Sequence, residues 1–278
     1  MGNNSKDTKR LVLLLIASVS IIILIYCIIR LALYSLNSYK ANKDIDELKE
    51  QIEQATPSAG DKSQFSEMLT PTAADNLTDA RAQHASASKY RTLFEQNSDF
   101  AGWITIDGTA IDYPVMQTIF DEEYYLHRNF DKLSSDEGLP FIDAKSDIVR
   151  PSANIIIYGH NMKNGDMFAD LLKYSDQDYY KEHRIVYFDT LFDEGTYEII
   201  SVFRADVSPD SEDDFKFYEF IENTDLYPLD KYLSEIKARS IYEIPFDPEK
   251  ITNLITLSTC EYTKKDGRFV VIAAKTSA

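Results

Sequence analysis

The sequence predicts a mostly β fold, an antiparallel barrel with inserted helices, carried behind an N-terminal membrane segment. Three observations point there. From Phe100 onward, short runs rich in β-branched and aromatic residues alternate with turn residues. The chain has no internal repeat, no Gly-rich phosphate loop and no regular βαβ alternation, which argues against a parallel, doubly wound sheet. Residues Leu11 to Ile29 carry no charge.

That uncharged run holds 19 residues, and at ~1.5 Å per helical residue it spans ~28 Å, close to the hydrocarbon thickness of a bilayer. It predicts a transmembrane helix. Arg30 stands at the far edge, where a long side chain snorkels to the interface, and Leu31 to Leu36 extend the anchor, which covers 11–36. No small-x-small cleavage site stands near Leu36-Asn37-Ser38, so the segment reads as uncleaved. Lys6, Lys9 and Arg10 favour a cytoplasmic tail over 1–10 and an extracellular location for the residues beyond the anchor. Met1-Gly2 opens no myristoylation motif, because position 6 is Lys6.

Past the anchor, Ile45, Leu48 and Ile52 recur at helical spacing within the charged run Asp44 to Gln54, the pattern of a short stalk helix. Thr56-Pro57-Ser58-Ala59-Gly60 ends it, and the polar, Ala-, Ser- and Thr-rich stretch beyond reads as a linker, so 37–77 is stalk and linker. A second helix is predicted over about Thr78 to Gln96, packing through Tyr90, Leu93 and Phe94, and it opens the folded domain, 78–278. Trp103 to Ile106 and Ile111 to Met116, joined by Asp107-Gly108, predict a hairpin in which Pro114 marks an edge or a bulge. Further strands are predicted at Leu139 to Ile142, Ile155 to Tyr158, Ile185 to Asp189, Tyr197 to Ala205, Ile251 to Cys260 and Arg268 to Lys275. Helices are predicted at Met167 to Tyr174, Asp176 to Lys181 and Asp214 to Ile236.

Charge narrows the function. The net charge is -17; the first ten residues carry +2 and Arg30 adds one, which leaves -20 on residues 31–278. Nucleic-acid binding is excluded, since phosphate neutralisation needs clustered Lys and Arg. An acidic body suits a cationic substrate or a solvated extracellular face. The two cysteines, Cys27 in the membrane run and Cys260 in the body, offer no disulfide framework. Two Cys and four scattered His show neither CxxC nor HxxxH spacing, so no metal and no cofactor is expected.

The chemistry gathers near the C-terminus. Ile251 to Leu257 is apolar and β-favouring, which puts Cys260 at the end of a buried strand; Thr263-Lys264-Lys265-Asp266-Gly267 is a turn, and Arg268 begins the next strand. If the two strands pair antiparallel, Cys260 and Arg268 share one end of the sheet, within roughly 5 to 8 Å in the backbone. A thiolate forms acyl-enzymes, and a guanidinium can stabilise the oxyanion. Among the histidines, His160 ends the strand Asn154 to Tyr158 behind Gly159. His127 is its rival, whereas His84 falls in the helix or linker and His183 in a charged turn. Spacing does not choose between His160 and His127.

Tyr158-Gly159-His160-Asn161-Met162, Leu257-Ser258-Thr259-Cys260-Glu261-Tyr262 and Gly267-Arg268-Phe269-Val270-Val271 resemble the three motifs of sortases, and in detail those of the class B branch. The resemblance covers roughly residues 90 to 275, with supporting matches in Gly102-Trp103-Ile104, Tyr113-Pro114-Val115 and Tyr124-Tyr125-Leu126. It implies a closed eight-stranded β-barrel with N-terminal helices and a helix before the Cys-bearing strand. It also implies a cysteine transpeptidase that cleaves a C-terminal sorting signal after Thr and joins the acyl group to an amine, commonly of a peptidoglycan precursor. The partners implied are surface proteins carrying that signal. Carried over by motif, Cys260 is the nucleophile, His160 the acid and base, and Arg268 the oxyanion and substrate clamp, while Leu126, Ser258 and Glu261 line the signal groove. The stretch from Asn37 to about Thr78 matches no motif and reads as a tether. Rival readings are a pilin polymerase whose acceptor is a protein lysine, a plain cysteine peptidase, and an idle membrane-tethered binding module.

Overall fold

A computed structural model describes residues 3–55, 89–211 and 215–276. The chain forms two compact units, Met1–Asp46 and Glu47–Ala278. Helix α1 (Asn3–Gln54) is unbroken, so the segments predicted as anchor and stalk are turns of one helix. Among the described residues it alone is long and apolar enough to cross a membrane. Its large apolar side chains from Leu13 to Leu36 are exposed. In water that surface would cost on the order of 25 cal/mol per Å², a penalty that a lipid environment removes.

The second unit is a closed barrel with strand order β1-β2-β3-β4-β7-β8-β6-β5. The strands are β1 (Phe100–Thr105), β2 (Asp112–Met116), β3 (Phe141–Ile142), β4 (Asn154–Tyr158), β5 (Ile185–Thr190), β6 (Thr196–Asp206), β7 (Leu254–Glu261) and β8 (Gly267–Lys275). Most pairs are antiparallel, as the sequence suggests, but β2 with β3 and β4 with β7 are parallel. The second of these matters for function. A parallel pair needs a long crossover, and the whole stretch from Gly159 to Asn253 supplies it, a relation no local periodicity encodes. Pro114 sits in β2 opposite Trp103, and because β3 meets β2 only at Met116 it faces no second ladder. The irregularity lies in β1 between Phe100 and Gly102, opposite Met116 and Val115.

Several predicted elements change their bounds, three of them as follows. Of the helix expected from Thr78 to Gln96, the described part is α2 (Arg91–Gln96), behind a turn at Lys89 and Tyr90; residues 78–88, like most of the expected linker, lie outside the described residues. Tyr90, Leu93 and Phe94 are buried as predicted. The long helix expected over Asp214 to Ile236 splits into a 3-10 turn (Phe217–Glu219) and α4 (Leu229–Arg239), because Pro228 cannot continue a helix from upstream and serves as its N-cap. Here α3 is the short helix Gln177–Glu182. Finally, the predicted start of the Cys-bearing strand at Ile251 moves to Leu254, since Pro248–Lys250 form a 3-10 turn.

Helix α4 seals one stretch of the barrel wall. Its Tyr232, Leu233 and Ile236 pack with Phe217 and Phe220 over Leu254 of β7 and Val270, Ile272 and Ala274 of β8. Phe220 stacks on Tyr232 at 4.2 Å between ring centroids. Burial of each large side chain there stabilises by about 1.5–3 kcal/mol.

Candidate active site

The pairing of β7 with β8 sets Cys260 directly opposite Arg268. Directly opposed residues of an antiparallel pair share a face, at ~4.5–5.5 Å between Cα atoms. On the other side, β4 runs parallel to β7 with Tyr158 beside Ser258, and the Gly159 N–H donates to the Ser258 carbonyl at 3.1 Å. His160 follows two residues beyond Tyr158, past the last β4 pair, as Cys260 follows two residues beyond Ser258. His160, Cys260 and Arg268 thus come to the same end of three neighbouring strands, β4, β7 and β8, past the end of the cover that α4 provides. All three are half-exposed.

The His160 ring is held from above. A 3-10 helix, Glu122–His127, offers the Leu126 carbonyl, which accepts from His160 Nε2 at 2.8 Å. A carbonyl only accepts, so Nε2 carries the hydrogen and a neutral ring leaves Nδ1 free to accept a proton. Burial pulls the His160 pKa below the usual histidine range; the Leu126 carbonyl opposes this and neighbouring His127 adds to it. The rival His127 lies beside it, its ring centroid 5.5 Å from that of His160, but it is exposed and sits at the end of the 3-10 helix.

Two glycines make this packing feasible. A Cβ on Gly159 would meet the Phe168 ring at 2.7 Å, so the need is close approach rather than unusual backbone. Gly138 has φ +58, and a Cβ there would stand 2.3 Å from the Leu126 carbonyl oxygen, the atom that holds His160.

The groove residues fare differently. Ser258 shares the Cys260 face one step back along β7, and its Oγ is buried with no hydrogen bond inside the protein. Such a hydroxyl costs about 1–3 kcal/mol until it finds a partner. Leu126 reaches the site through its backbone carbonyl. Glu261 points to the opposite face of β7: its carboxylate accepts from the Thr263 N–H and hydroxyl and lies 4.0 Å from Arg204. Arg268 turns back, donating from Nη1 to the Gly267 carbonyl at 3.0 Å. Sequence reasoning passed over Thr259, whose buried hydroxyl donates to the Gly159 carbonyl at 2.7 Å, and Asn161, whose Nδ2 donates to the Cys260 carbonyl at 2.9 Å. Both lie inside the quoted motifs, yet only the parallel pairing of β4 with β7 makes them neighbours. Among the described residues, no group of three or more His, Cys, Asp and Glu side chains is placed to hold a metal ion.

A family model described as the sortase domain matches residues 104–276. Sortase B of Listeria monocytogenes is 38% identical over 186 residues, which make up 65% of this chain and 71% of that protein. The chain belongs to the sortase family, in its class B branch. Sortase B of Staphylococcus aureus is 29% identical over 187 residues, 66% of this sortase and 73% of that one. Among solved structures, sortase B from Bacillus anthracis in complex with AAEK1 superposes with a TM-score of 0.66 at 28% identity, covering 87% of this chain and 99% of that one. A Staphylococcus aureus sortase B–substrate complex gives a TM-score of 0.60 at 25% identity, over 73% and 94% of the respective chains. Membership makes this sortase a cysteine transpeptidase of the family, and the closed eight-stranded barrel agrees with it.

Proposed function

We propose that this sortase cleaves a C-terminal sorting signal after Thr through a thioester on Cys260 and transfers the acyl group to an amine of a peptidoglycan precursor, anchoring surface proteins to the cell wall. The observation that carries this reading is the convergence of His160, Cys260 and Arg268 at one end of β4, β7 and β8. The Cys260 thiolate attacks the Thr carbonyl carbon, and the carbonyl electrons move onto oxygen, where the Arg268 guanidinium balances the charge. The C–N bond breaks as protonated His160 gives its proton to the leaving amine. The incoming amine then attacks the thioester, His160 takes its proton, and the C–S bond breaks to restore the thiolate. Thiolate and imidazolium must coexist, and a lowered His160 pKa keeps that form a minority. Ser258 supplies a buried hydroxyl to the bound signal, Leu126 orients the imidazole, and Glu261 contributes through its backbone rather than its carboxylate.

The anchor, 11–36, crosses the membrane with 1–10 in the cytoplasm, and 37–77 tethers the catalytic domain, 78–278, outside the cell. The test is to mix the full chain in detergent with Thr-containing signal peptides and search by mass spectrometry for an acyl group on Cys260. Wall amines or a lysine-bearing pilin domain are then added as acceptors. A thioester resolved by the wall amine supports the reading; transfer to the pilin lysine, hydrolysis alone or no labelling overturns it in favour of a pilin polymerase, a peptidase or an idle module respectively.

A further inference from the structure

The bonds around His160 leave a gap in its support. The β4 ladder ends at Tyr158, and beyond it Gly159 is tied to β7 twice, through its N–H to Ser258 and through its carbonyl to Thr259. The His160 carbonyl turns the other way and accepts from the Phe168 N–H at 2.8 Å. The next residue returns to β7. Asn161 donates from Nδ2 to the carbonyl of Cys260 itself, at 2.9 Å, and its own carbonyl accepts from the Tyr262 hydroxyl at 3.3 Å. Asn161 also forms an isolated bridge with Met167.

We infer that Asn161 and Tyr262 are positioning residues, a two-bond clamp that holds the His160 loop in register with Cys260 where the ladder has run out. The inference rests on the catalytic reading above. Tyr262 is 69% exposed, so burial does not explain its placement. Its hydroxyl lies within electrostatic reach of both Cys260 and Arg268 and stays protonated above the ordinary tyrosine range, first through partial burial and then through the Cys260 charge. Asn161 is half-exposed at the barrel rim, away from the packed core. Two contacts to the nucleophile strand and the residues just past it restrain the imidazole in distance and direction, the quantities on which proton transfer depends.

The experiment reads the coupling between His160 and Cys260 without needing the natural signal. The full chain in detergent is alkylated with iodoacetamide across pH, as wild type, His160→Ala, Asn161→Ala, Tyr262→Phe and the double variant H160A/N161A. His160→Ala is expected to shift the pH midpoint of Cys260 alkylation. Asn161→Ala should reproduce most of that shift, and the double variant should add little to either. Turnover of a signal peptide that labels Cys260 should fall about tenfold in kcat for Asn161→Ala with KM within about twofold, and Asn161→Gln, which keeps the donor, should recover part of the loss. Tyr262→Phe removes one exposed oxygen, leaves folding intact and should show the same pattern more weakly. Additive shifts in the double variant, or unchanged kcat in both Asn161→Ala and Tyr262→Phe, overturn the clamp while leaving the catalytic reading in place. Signal-peptide turnover undiminished in His160→Ala sinks the catalytic reading, and the clamp with it.

Discussion

Arg268 and His160 flank one thiol, but they are held by different kinds of bond. Arg268 belongs to a ladder of eight register pairs between β7 and β8, and the same strand pairs with β6 along nine more positions. His160 stands two residues beyond a five-pair ladder and depends on single contacts: the Leu126 carbonyl above, Thr259 behind and Asn161 ahead. In the proposed mechanism, the cation that waits for an oxyanion sits on rigid wall, whereas the base that gives and takes a proton sits on a short segment whose position each neighbour adjusts.

This difference makes the His160 side the easier one to break, and substitutions there rank by how directly they move the imidazole. Gly138→Ala forces a methyl against the Leu126 carbonyl, so a displacement of ~1 Å at the imidazole and a loss of about 10²-fold in kcat are expected. On the ladder side, Ile272→Ala should lower the melting temperature through a cavity yet change kcat per folded molecule little. Steady-state rates set beside thermal denaturation separate the two, and equal loss of kcat in both variants would erase the contrast.

Thr259→Val removes the donor to the buried Gly159 carbonyl and should destabilise by about 1–3 kcal/mol, with kcat falling alongside. Urea denaturation measures the first; a variant as stable as wild type would mean that the strand junction does not depend on this bond. His127→Ala should act through pH alone. The second imidazole helps to hold the His160 pKa down, so without it His160 keeps its proton to higher pH and the acidic limb of the kcat/KM profile moves up. An unmoved limb would show that the two rings do not interact electrostatically. The smallest effect belongs to Glu122, whose pKa is raised by burial first and then by the charge of Asp143. A raised carboxyl contributes its stability below its unfolded pKa and loses it as pH rises through the folded value. Glu122→Gln should therefore raise the melting temperature slightly at pH 7.5 and leave it unchanged at pH 4; the reverse pattern would mean that Glu122 is held as a carboxylate.

The nucleophile strand, its turn and the strand after it were legible because their pairing is local: six apolar or β-favouring residues, a five-residue polar turn and a second apolar run leave one register that keeps both faces buried. The opposition of Cys260 and Arg268 follows from it. His160 against His127 was not legible by spacing, since both follow aromatic or apolar runs, and only the resemblance to sortases separated them. The bounds of the helix expected over Asp214 to Ile236 failed at Pro228, and the predicted strand start at Ile251 failed where Pro248–Lys250 form a 3-10 turn.

By itself, the amino-acid order determined an apolar N-terminal helix, a strand-rich body and a thiol paired with a guanidinium, all properties of neighbours in sequence. The tertiary structure decided which polar groups hold His160, which of its ring nitrogens meets a carbonyl and which strands bring it to the end of β7 that carries the thiol. The reason is physical: β4 and β7 meet in parallel across a crossover of 95 residues, from Gly159 to Asn253, and contacts closed over so long a loop are fixed by the packing of the whole barrel rather than by any local preference.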